Sequence, residues 1–434
     1  MYKDFDAIII GAGIIGAAIG CELARRGWRT LNVDRLSASG QGSTSSSLAI
    51  IRTHYSTREG SALAWEGYHY WAAWKQHVRL AEEANLARFI RTGVLVLKTK
   101  ENGGLATQIG LSNELEIPYQ EWSLEDIGKR FPIWDLHNFG PPVMSSDSRF
   151  GQSTDSLIEG GVFFPNAGYC NDPRLATNNL QQAAEAAGAV FFFGCHVTNI
   201  RSVDNRVVGI TLADGKDIDA PVVVNAAGPH SSKINQLAGI AGNCSISTRA
   251  LRHESVHLTL PENYGGEKNG IVTFDHNVGS YTRPDLGETI FVGSQGTDFE
   301  NPPTVDPDDF DHNFSESAME PVYRLAQRIP TLGIPNRLKG IVDLWDVTED
   351  WIPVYDRSDL SGFYLAIGTS GNQFKTAPVV GVLMAELIVA CENGHDHDLE
   401  PIGAYLEQTG NHIDLGVFSR NREINDNSSF SVLA

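Results

Sequence analysis

Apolar positions near the start of the chain form two short blocks that enclose a glycine-rich turn and a helical stretch. The first block, residues 6–10, predicts a buried strand, and the turn that follows reads GAGIIG over residues 11–16. Residues 17–26 predict a helix that stops at Gly27. The second block, residues 30–33, predicts another strand, so the chain begins with a strand–turn–helix–strand unit.

The rest of the chain switches between helical periodicity and strand-like alternation. Capping patterns mark two helix starts, Ser123 with Asp126 and Asp172 before Pro173. The predicted helices cover residues 60–78, 123–131, 173–187, 315–328 and about 374–391. The predicted strands cover residues 190–193, 197–203, 207–212, 255–260, 289–292 and 363–367, with a further strand in 222–228 that runs into a small-residue turn. The segment after Leu399 has no clear pattern.

The glycine turn carries the first functional signal. Gly11 permits a tight turn, Gly13 lets the backbone approach a pyrophosphate, and Gly16 lets the helix pack on the strand. The helix N-terminus offers free N–H groups and the positive end of a dipole to phosphates. Asp34 ends the second strand at the spacing of the acid that binds a ribose hydroxyl. The unit therefore predicts a dinucleotide site, and NAD and FAD both fit it.

Composition disfavours several classes of partner. The chain has 434 residues and a formal net charge of −20, which argues against nucleic acid and anionic membranes. No apolar run reaches the length of a membrane span. Five widely spaced cysteines without a C-x-x-C pair indicate reduced thiols in a cytoplasmic protein, and they do not support a metal site. His395 and His397 lie in an acidic stretch and are interpreted as surface residues rather than metal ligands.

Seven motifs in order, at plausible separations, carry a resemblance to a known family. They are GAGIIG (11–16) with Asp34, GSTSSSLAIIR (42–52), AGYCNDPRLA (167–176), VVVNAAG (222–228), YTRP (281–284), DVTEDWIP (346–353) and GTSGNQFKTAPVVG (368–381). With these motifs the chain resembles the glycine and D-amino-acid oxidase superfamily of FAD-dependent oxidoreductases. The resemblance is greatest to the branch that contains sarcosine oxidase and dimethylglycine dehydrogenase.

The resemblance implies an α/β fold. A Rossmann-like FAD-binding domain would carry an inserted α+β substrate domain built on a mixed or antiparallel sheet. We expect the FAD-binding domain to comprise residues 1–84, 146–229 and 335–398. The substrate-binding domain would comprise residues 85–145 and 230–334, and residues 399–434 would form a C-terminal tail.

The resemblance also implies that the dinucleotide is FAD. In the family the serine loop lies along the pyrophosphate and flavin. The backbone of a residue matching Val197 contacts the adenine. The loop matching residues 371–374 presents N–H groups to the flavin's pyrimidine edge, where helix-end dipoles stabilise the anionic reduced ring. The expected cofactor-binding residues are Gly11, Gly13, Ile14, Ile15, Gly16, Asp34, Arg35, Gly42, Ser43, Thr44, Ser45, Val197, Ala227, Gly228, Gly371, Asn372, Gln373, Phe374 and Lys375.

Three residues are expected to act on the substrate. Arg52 and Lys375 match positions that hold the substrate carboxylate in sarcosine oxidases, where an arginine fork binds bidentately and a lysine adds a point charge. For either residue alone, the alternative is an ion pair with a protein acid at the surface. Tyr281 matches an aromatic near the substrate, although a core tyrosine fits the same pattern. His253 and Glu254 are further candidates for the cavity wall.

The implied activity is FAD-dependent oxidation of a carboxylate-bearing amine, such as an N-alkyl, cyclic or D-amino acid. Hydride would pass from the carbon next to nitrogen to flavin N5, and the resulting imine would hydrolyse. Oxygen or another electron acceptor would then reoxidise the flavin. The sequence favours no particular oligomeric state.

Three positions depart from the family pattern. Asp343 stands where a cysteine binds the flavin covalently in monomeric sarcosine oxidase, so we expect noncovalent FAD. Ala49 replaces a basic residue, and Phe291 stands where a lysine activates oxygen. The loss of that cation favours a dehydrogenase that passes electrons to an acceptor other than oxygen. A non-catalytic flavoprotein subunit of a larger complex is a further alternative.

Overall fold

The computed structural model describes residues 5–81, 84–262, 264, 270–295, 304–425 and 428. Its α-helices span Ile14–Arg25, Arg58–Ala72, Trp74–Val78, Leu105–Glu114, Leu124–Arg130, Pro173–Ala186, Ser231–Leu237, Glu320–Arg328 and Ala377–Glu392, and its 3-10 helices span Gly228–His230, Glu316–Met319 and Leu415–Phe418. Its strands are β1 (Ala7–Ile10), β2 (Thr30–Val33), β3 (Ile50–Ile51), β4 (Phe89–Ile90), β5 (Val94–Leu97), β6 (Gln120–Trp122), β7 (Gly161–Phe164), β8 (Gly168–Cys170), β9 (Val190–Phe192), β10 (Val197–Val203), β11 (Arg206–Leu212), β12 (Asp217–Asp219), β13 (Val222–Asn225), β14 (Arg249–Thr259), β15 (Val272–Asp275), β16 (Ser280–Asp285), β17 (Thr289–Ser294), β18 (Gly340–Val347), β19 (Val354–Arg357), β20 (Phe363–Ile367), β21 (Gly403–Leu406) and β22 (Asn411–Asp414). Within these described ranges, no helix combines the length and apolar character needed to cross a membrane.

A mostly parallel sheet of six strands forms the first layer, in the order β19-β20-β13-β1-β2-β9. Its central strand β1 pairs in parallel with both β13 and β2. Ile9 on β1 packs in one apolar cluster with the helices Ile14–Arg25 and Ala377–Glu392, whereas Ile8 packs in another with the three-stranded sheet β10-β11-β12. Both faces of the sheet are therefore buried, as parallel sheets require.

A second sheet of eight strands has the order β18-β14-β17-β16-β15-β5-β7-β6 and is antiparallel except where β15 pairs with β5. Val256 and Ile290 on one face pack with the helices Leu124–Arg130 and Glu320–Arg328. Phe274 and Tyr281 lie in a separate apolar cluster on the other face. The predicted fold class, a parallel α/β layer joined to a mixed sheet, is confirmed.

Two predicted helices differ from the observed ones for identifiable reasons. The predicted helix 60–78 is two helices, because the chain leaves helical geometry at Ala73, where φ is −112° and ψ is 34°. The predicted helix 315–328 begins as a 3-10 turn, and the α-helix starts only at Glu320. Pro321 then lies in the first turn of this α-helix. Backbone N–H groups have no partner within the helix there, so the missing N–H of proline costs no hydrogen bond.

Both capping patterns form the local contacts that the sequence predicts. The Ser123 side chain accepts from the Asp126 N–H while the Asp126 side chain accepts from the Ser123 N–H, which is a complete capping box. Asp172 accepts from the Leu175 N–H at 2.8 Å, with proline in the first turn of that helix. These helix starts depend on neighbours in sequence, which explains why the pattern locates them.

The predicted domain boundaries stay a prediction. Two strands, however, belong to a different sheet from the one that those boundaries suggest. β7 and β18 fall inside the segments assigned to FAD binding, yet both belong to the eight-stranded sheet. β18 pairs along its whole length with β14, from Gly340 opposite Val256 to Val347 opposite Arg249. An apolar alternation identifies a strand but does not reveal which sheet supplies its partner.

The segment after Leu399 folds onto the first layer, although its sequence pattern predicts no element. β21 and β22 form a hairpin whose apolar side joins the core of that layer. Arg420, which is 2% exposed, donates to the fully buried Asp356 carboxylate at 3.0 Å. His397 is also buried, with Nε2 3.7 Å from Asp356 Oδ1 and Nδ1 accepting from the Ile402 N–H at 3.0 Å. The expectation of a surface position for His397 is therefore wrong, because its acidic sequence neighbours do not reveal this distant partner.

Arg420→Ala should lower the free energy of unfolding by about 3 kcal/mol, because it leaves the Asp356 charge buried without its main cationic partner. Urea unfolding measures the loss. Arg357→Ala is the matched control, since Arg357 pairs with Asp396 at a more exposed position and such pairs contribute about 1 kcal/mol or less. Equal losses in the two variants would contradict a special role for the buried pair.

Candidate active site

The glycine turn brings three backbone segments into contact at the start of the first helix. Gly11 has a φ of +115°, and a Cβ there would lie 2.3 Å from the carbonyl oxygen of Ala226, just after β13. A Cβ on Gly16 would lie 2.1 Å from the Gly11 carbonyl oxygen, so the helix packs directly on the turn. At the helix N-terminus, the Ile14 N–H donates to the Thr44 hydroxyl at 3.2 Å.

A large cleft of about 800 Å³ takes walls from both sheets. Its volume lies within the usual range for small-molecule and cofactor sites. The residues predicted from the sequence that line it are Gly11, Gly13, Ile14, Ile15, Asp34, Arg35, Gly42, Ser43, Thr44, Arg52, Val197, Ala227, Gly228, Tyr281, Gly371, Asn372, Gln373, Phe374 and Lys375. Motifs from distant parts of the sequence therefore converge on one cavity.

Two predicted cofactor residues, Gly16 and Ser45, lie outside the cleft lining. Gly16 is covered by the turn on which its helix packs. The Ser45 hydroxyl donates to the Gly42 carbonyl at 2.9 Å and so turns back on its own loop. Ser46 and Ser47 line the cleft instead. A run of similar hydroxyl residues does not reveal which way each side chain points.

Asp34 is held rigidly at the end of β2. Its Oδ2 accepts from the Ala12 N–H at 2.8 Å, and its Oδ1 accepts from the Leu36 N–H at 2.9 Å. Each carboxylate oxygen can accept more than one hydrogen bond. The side chain therefore retains acceptor capacity for a ligand hydroxyl.

Residues 304–313 close the same end of the cleft through charged contacts that sequence reasoning missed. The Asp308 carboxylate accepts from Arg35 and, at 2.6 Å, from Lys233, and it lies 3.1 Å from His230 Nε2. Hydrogen bonds from Lys233 and Arg35 hold the pKa of Asp308 well below its ordinary value. Arg35 and Asp308 are 273 residues apart, so no local sequence pattern predicts their contact.

Two buried cationic side chains lie together in the cleft wall. Arg52 and Lys375 are 3% and 4% exposed. The Arg52 guanidinium lies 4.2 Å from the centre of the Tyr55 ring, and Lys375 Nζ donates to the Tyr55 hydroxyl at 2.5 Å and to the Asn372 carbonyl. The Lys375 backbone is fixed as well, because the Trp71 indole N–H donates to its carbonyl at 2.8 Å. Both side chains are buried, so surface ion pairs do not describe them.

The electrostatics of Arg52, Tyr55 and Lys375 favour an anion. Burial lowers the pKa of Lys375 from its ordinary value, since the charged form loses solvation. Burial alone would raise the pKa of Tyr55, but the charges of Arg52 and Lys375 outweigh it and bring the pKa below 10. A carboxylate placed here would interact favourably with both cations, and it would be little screened by solvent.

The wall supplied by the eight-stranded sheet is a row of aromatic and hydroxyl groups. Tyr281 on β16 lies across Gly293, and a Cβ on Gly293 would lie 2.2 Å from the Tyr281 ring. His253 Nε2 lies 3.0 Å from the Ser255 hydroxyl, and its ring stacks on Trp345 with centroids 3.8 Å apart. Burial lowers the pKa of His253 to about 3, so its imidazole is neutral. Tyr281 is both buried and part of the cleft wall.

The family model described as DAO, FAD dependent oxidoreductase, matches residues 6–387 of the chain. The protein belongs to the DAO family. The glycine oxidase of Geobacillus kaustophilus is 25% identical over 406 residues, which cover 91% of this chain and 96% of that protein. The sarcosine oxidase subunit beta of Rhodobacter capsulatus is 25% identical over 431 residues, which cover 96% of this chain and 91% of that protein.

Solved structures share the fold of this DAO-family protein. The glycine oxidase from Geobacillus kaustophilus superposes with a TM-score of 0.73 at 21% identity and covers 98% of this chain and 100% of its own. The L-proline dehydrogenase from P. horikoshii also gives a TM-score of 0.73, at 22% identity, with coverage of 90% and 95%. The predicted family and its FAD dependence are confirmed.

The cleft of the DAO-family protein fits FAD. A Cβ on Gly13 would lie 3.2 Å from the Thr44 hydroxyl oxygen, so backbone and serine loop approach each other closely where the helix N-terminus can bind phosphate. Asp34 offers acceptors for hydroxyls at one end of the cleft. At the other end, residues 371–374 line the wall next to Lys375.

The positions that depart from the family pattern lie in different places. Asp343 lines the cleft, whereas Phe291 lies outside the lining. The guanidinium of the buried Arg283 lies 4.8 Å from the centre of the Phe291 ring, so a cation does stand near this position. Glu254 was a candidate for the wall, but it faces away from the cleft and accepts from the Ser315 N–H at 2.7 Å.

Gly11→Ala should abolish FAD retention, because the new Cβ would collide with the Ala226 carbonyl in a backbone conformation that alanine disfavours. Flavin absorbance per protein after gel filtration measures retention. Gly27→Ala is the control, since it shares a positive φ of +85° but has nothing within 4 Å of its Cβ. Full retention in Gly11→Ala would show that the close approach is unimportant.

Proposed function

We propose that the protein oxidises the CH–NH bond of an amine that carries a carboxylate, such as an N-alkyl, cyclic or D-amino acid. The imine product would then be hydrolysed by water. The observation that carries this proposal is the pair of buried cations, Arg52 and Lys375, in the wall of the cleft beside residues 371–374. Bound FAD supplies the two-electron acceptor for the reaction.

The cations anchor the substrate carboxylate. The Arg52 guanidinium offers a planar fork for two parallel hydrogen bonds, and Lys375 adds a compact charge. Tyr55 holds both groups in place through its ring and its hydroxyl. Because the anchor and the loop 371–374 share one wall, the carboxylate fixes which substrate carbon faces the flavin.

The part of the cleft wall that the eight-stranded sheet supplies around His253 and Tyr281 carries neutral side chains. His253 is neutral, and Tyr281 is protonated because burial raises its pKa above 10. The contact of His253 with Ser255 holds its imidazole against the sheet. This wall excludes water and favours the neutral amine, whose nitrogen lone pair assists oxidation at the adjacent carbon.

The cofactor assignments of the sequence resemblance fit the same orientation. We assign Gly13, Ile14 and Thr44 to the pyrophosphate, Asp34 to the ribose and Val197 to the adenine, all of which line the cleft. We assign residues 371–374 to the pyrimidine edge of the flavin. With Asp343 at the position of the family's covalent cysteine, FAD would be held without a covalent bond.

We also propose that the protein is located in a reducing compartment. All five cysteines are free thiols, and Cys21 and Cys170 are buried. Burial raises the pKa of each of these two thiols to about 12, so neither is reactive. This pattern supports a cytoplasmic location.

The second candidate function is that of a dehydrogenase, whose reduced flavin passes its electrons to an acceptor other than oxygen. Phe291 at the expected lysine position favours it, and the buried Arg283 beside that ring pairs with Asp285 and lies outside the cleft lining. Mixing the reduced enzyme with air-saturated buffer separates the two, since an oxidase reoxidises rapidly. A non-catalytic flavoprotein subunit would show no flavin reduction by any substrate.

An anaerobic screen of N-methyl, cyclic and D-amino acids tests the proposed function. At least one carboxylate-bearing amine should bleach the flavin absorbance. The matched control is the amide or decarboxylated form of the same amine, which should bleach it far more slowly. Equal rates for acid and amide would contradict recognition through the carboxylate.

Arg52→Ala and Lys375→Met should each weaken binding of a carboxylate ligand by about 10- to 100-fold, because each removes a hydrogen bond to a charged group. FAD should stay bound in both variants. Titration of the flavin spectrum with an unreactive carboxylate measures the dissociation constant. The amide of that ligand should show little change, and unchanged carboxylate binding in both variants would overturn the assignment.

Carboxylate binding should weaken as the pH rises towards 10, because the pKa of Tyr55 and that of Lys375 are both below their ordinary values. Ionisation of Tyr55 adds a negative charge, and deprotonation of Lys375 removes a positive one, so both changes disfavour the anion. In Lys375→Met the pKa of Tyr55 rises, and the pH dependence should shift upwards. A wild-type dissociation constant that stays flat over this range would contradict the account.

A further inference from the structure

Residues 304–313 form a strap that the proposed function does not use. Its Asp308 accepts from Arg35 and Lys233, which both line the cleft. Arg35 directly follows Asp34, the acid that we assign to the ribose. The strap itself contributes four residues to the cleft lining, which are Pro307, Asp308, Phe310 and His312. It therefore lies at the end of the cleft where we place the adenosine of FAD.

Both ends of the strap are attached to the eight-stranded sheet. Near its start the strap runs beside β14, and the Val305 N–H donates to the Ala250 carbonyl at 3.1 Å. Near its end the guanidinium of Arg252, also on β14, donates to the carbonyls of Asp311, at 2.8 Å, and Asn313. The Arg252 side chain is largely buried, so salt screens these contacts little. The two ends are therefore the firm part of the attachment.

The middle of the strap is attached to the other layer by ion pairs. The Lys233 ammonium donates to Asp306 at 2.5 Å and to Asp308 at 2.6 Å, and Asp308 also accepts from Arg35. Lys233 belongs to the helix Ser231–Leu237, and Arg35 follows β2. The four charged side chains are between 38% and 55% exposed. Ion pairs at such positions are weakened by water and by salt.

The difference between these contacts decides which attachment opens first. Salt, or the loss of one charge, breaks the ion pairs of Asp308 but leaves the contacts at both ends of the strap. The middle of the strap can then leave Arg35 and Lys233 while the ends stay on β14. His230 adds no further charge, because burial lowers the pKa of its imidazole and keeps it neutral beside Asp308.

We propose that the strap retains bound FAD and that Asp308 is the positioning residue that keeps it closed. This inference rests on the proposed orientation of FAD, with the ribose at Asp34 and the adenine at Val197. While the ion pairs of Asp308 are formed, the strap covers that end of the cleft, and FAD leaves only after they break. Arg35, an expected cofactor-binding residue, then acts on FAD through Asp308.

Exchange of bound FAD for labelled FAD in excess measures the rate at which the loaded protein releases its cofactor. Asp308→Asn should raise this rate about three- to tenfold at low salt, because it removes the ion pairs with Arg35 and Lys233. Added salt should speed release from wild type by a larger factor than from Asp308→Asn, since the variant has already lost the contacts that salt screens.

Asp311→Asn is the matched control. Asp311 is another acid of the strap, but its side chain accepts from Asn313 within the strap itself. This variant should therefore keep the wild-type release rate and its salt dependence. A general loosening of the strap by any substitution would affect both variants alike.

Lys233→Met removes one of these contacts from the other partner and should also speed release, so the test does not depend on a single variant. In the double variant with Asp308→Asn, the two effects should multiply to less than their product, because both remove the same ion pair. Wild-type release rates in Asp308→Asn at low and high salt would overturn the inference, as would fully multiplicative effects. Release is measured without substrate, so such a failure leaves the proposed carboxylate site at Arg52 and Lys375 untouched.

Discussion

The burial of two like charges side by side is the constraint on which the rest of the site depends. Arg52 and Lys375 lose nearly all contact with water, and burial together with the charge of Arg52 lowers the pKa of Lys375. Tyr55 stabilises both buried charges, because its ring lies against the Arg52 guanidinium and its hydroxyl accepts a hydrogen bond from the Lys375 ammonium. A carboxylate ligand would balance the remaining positive charge. The buried positive charge that lowers the stability of the protein without a ligand therefore favours binding of a substrate carboxylate.

Residues from both large sheets line the cleft. The parallel sheet supplies a helix N-terminus and a rigid acid, Asp34, which suit a dinucleotide. The mixed sheet supplies a neutral, mostly aromatic surface around Tyr281 and His253. Gly293 makes room for one of these side chains, since a Cβ there would collide with the Tyr281 ring.

Local signals explain what the sequence could predict. The glycine turn and the two helix caps depend on neighbours along the chain, and the structure has both caps and a positive φ at Gly11. Long-range pairing explains what it could not. β18 joins the eight-stranded sheet, His397 packs on Asp356, and Asp308 reaches Arg35 across 273 residues.

A crystal structure of the FAD-loaded protein with an unreactive carboxylate analogue of the substrate tests the central claim most directly. The account predicts the carboxylate within hydrogen-bonding distance of both Arg52 and Lys375, and the pyrimidine edge of the flavin against residues 371–374. The other end of FAD should lie at Asp34. A carboxylate bound elsewhere, or a flavin far from Lys375, would contradict the account.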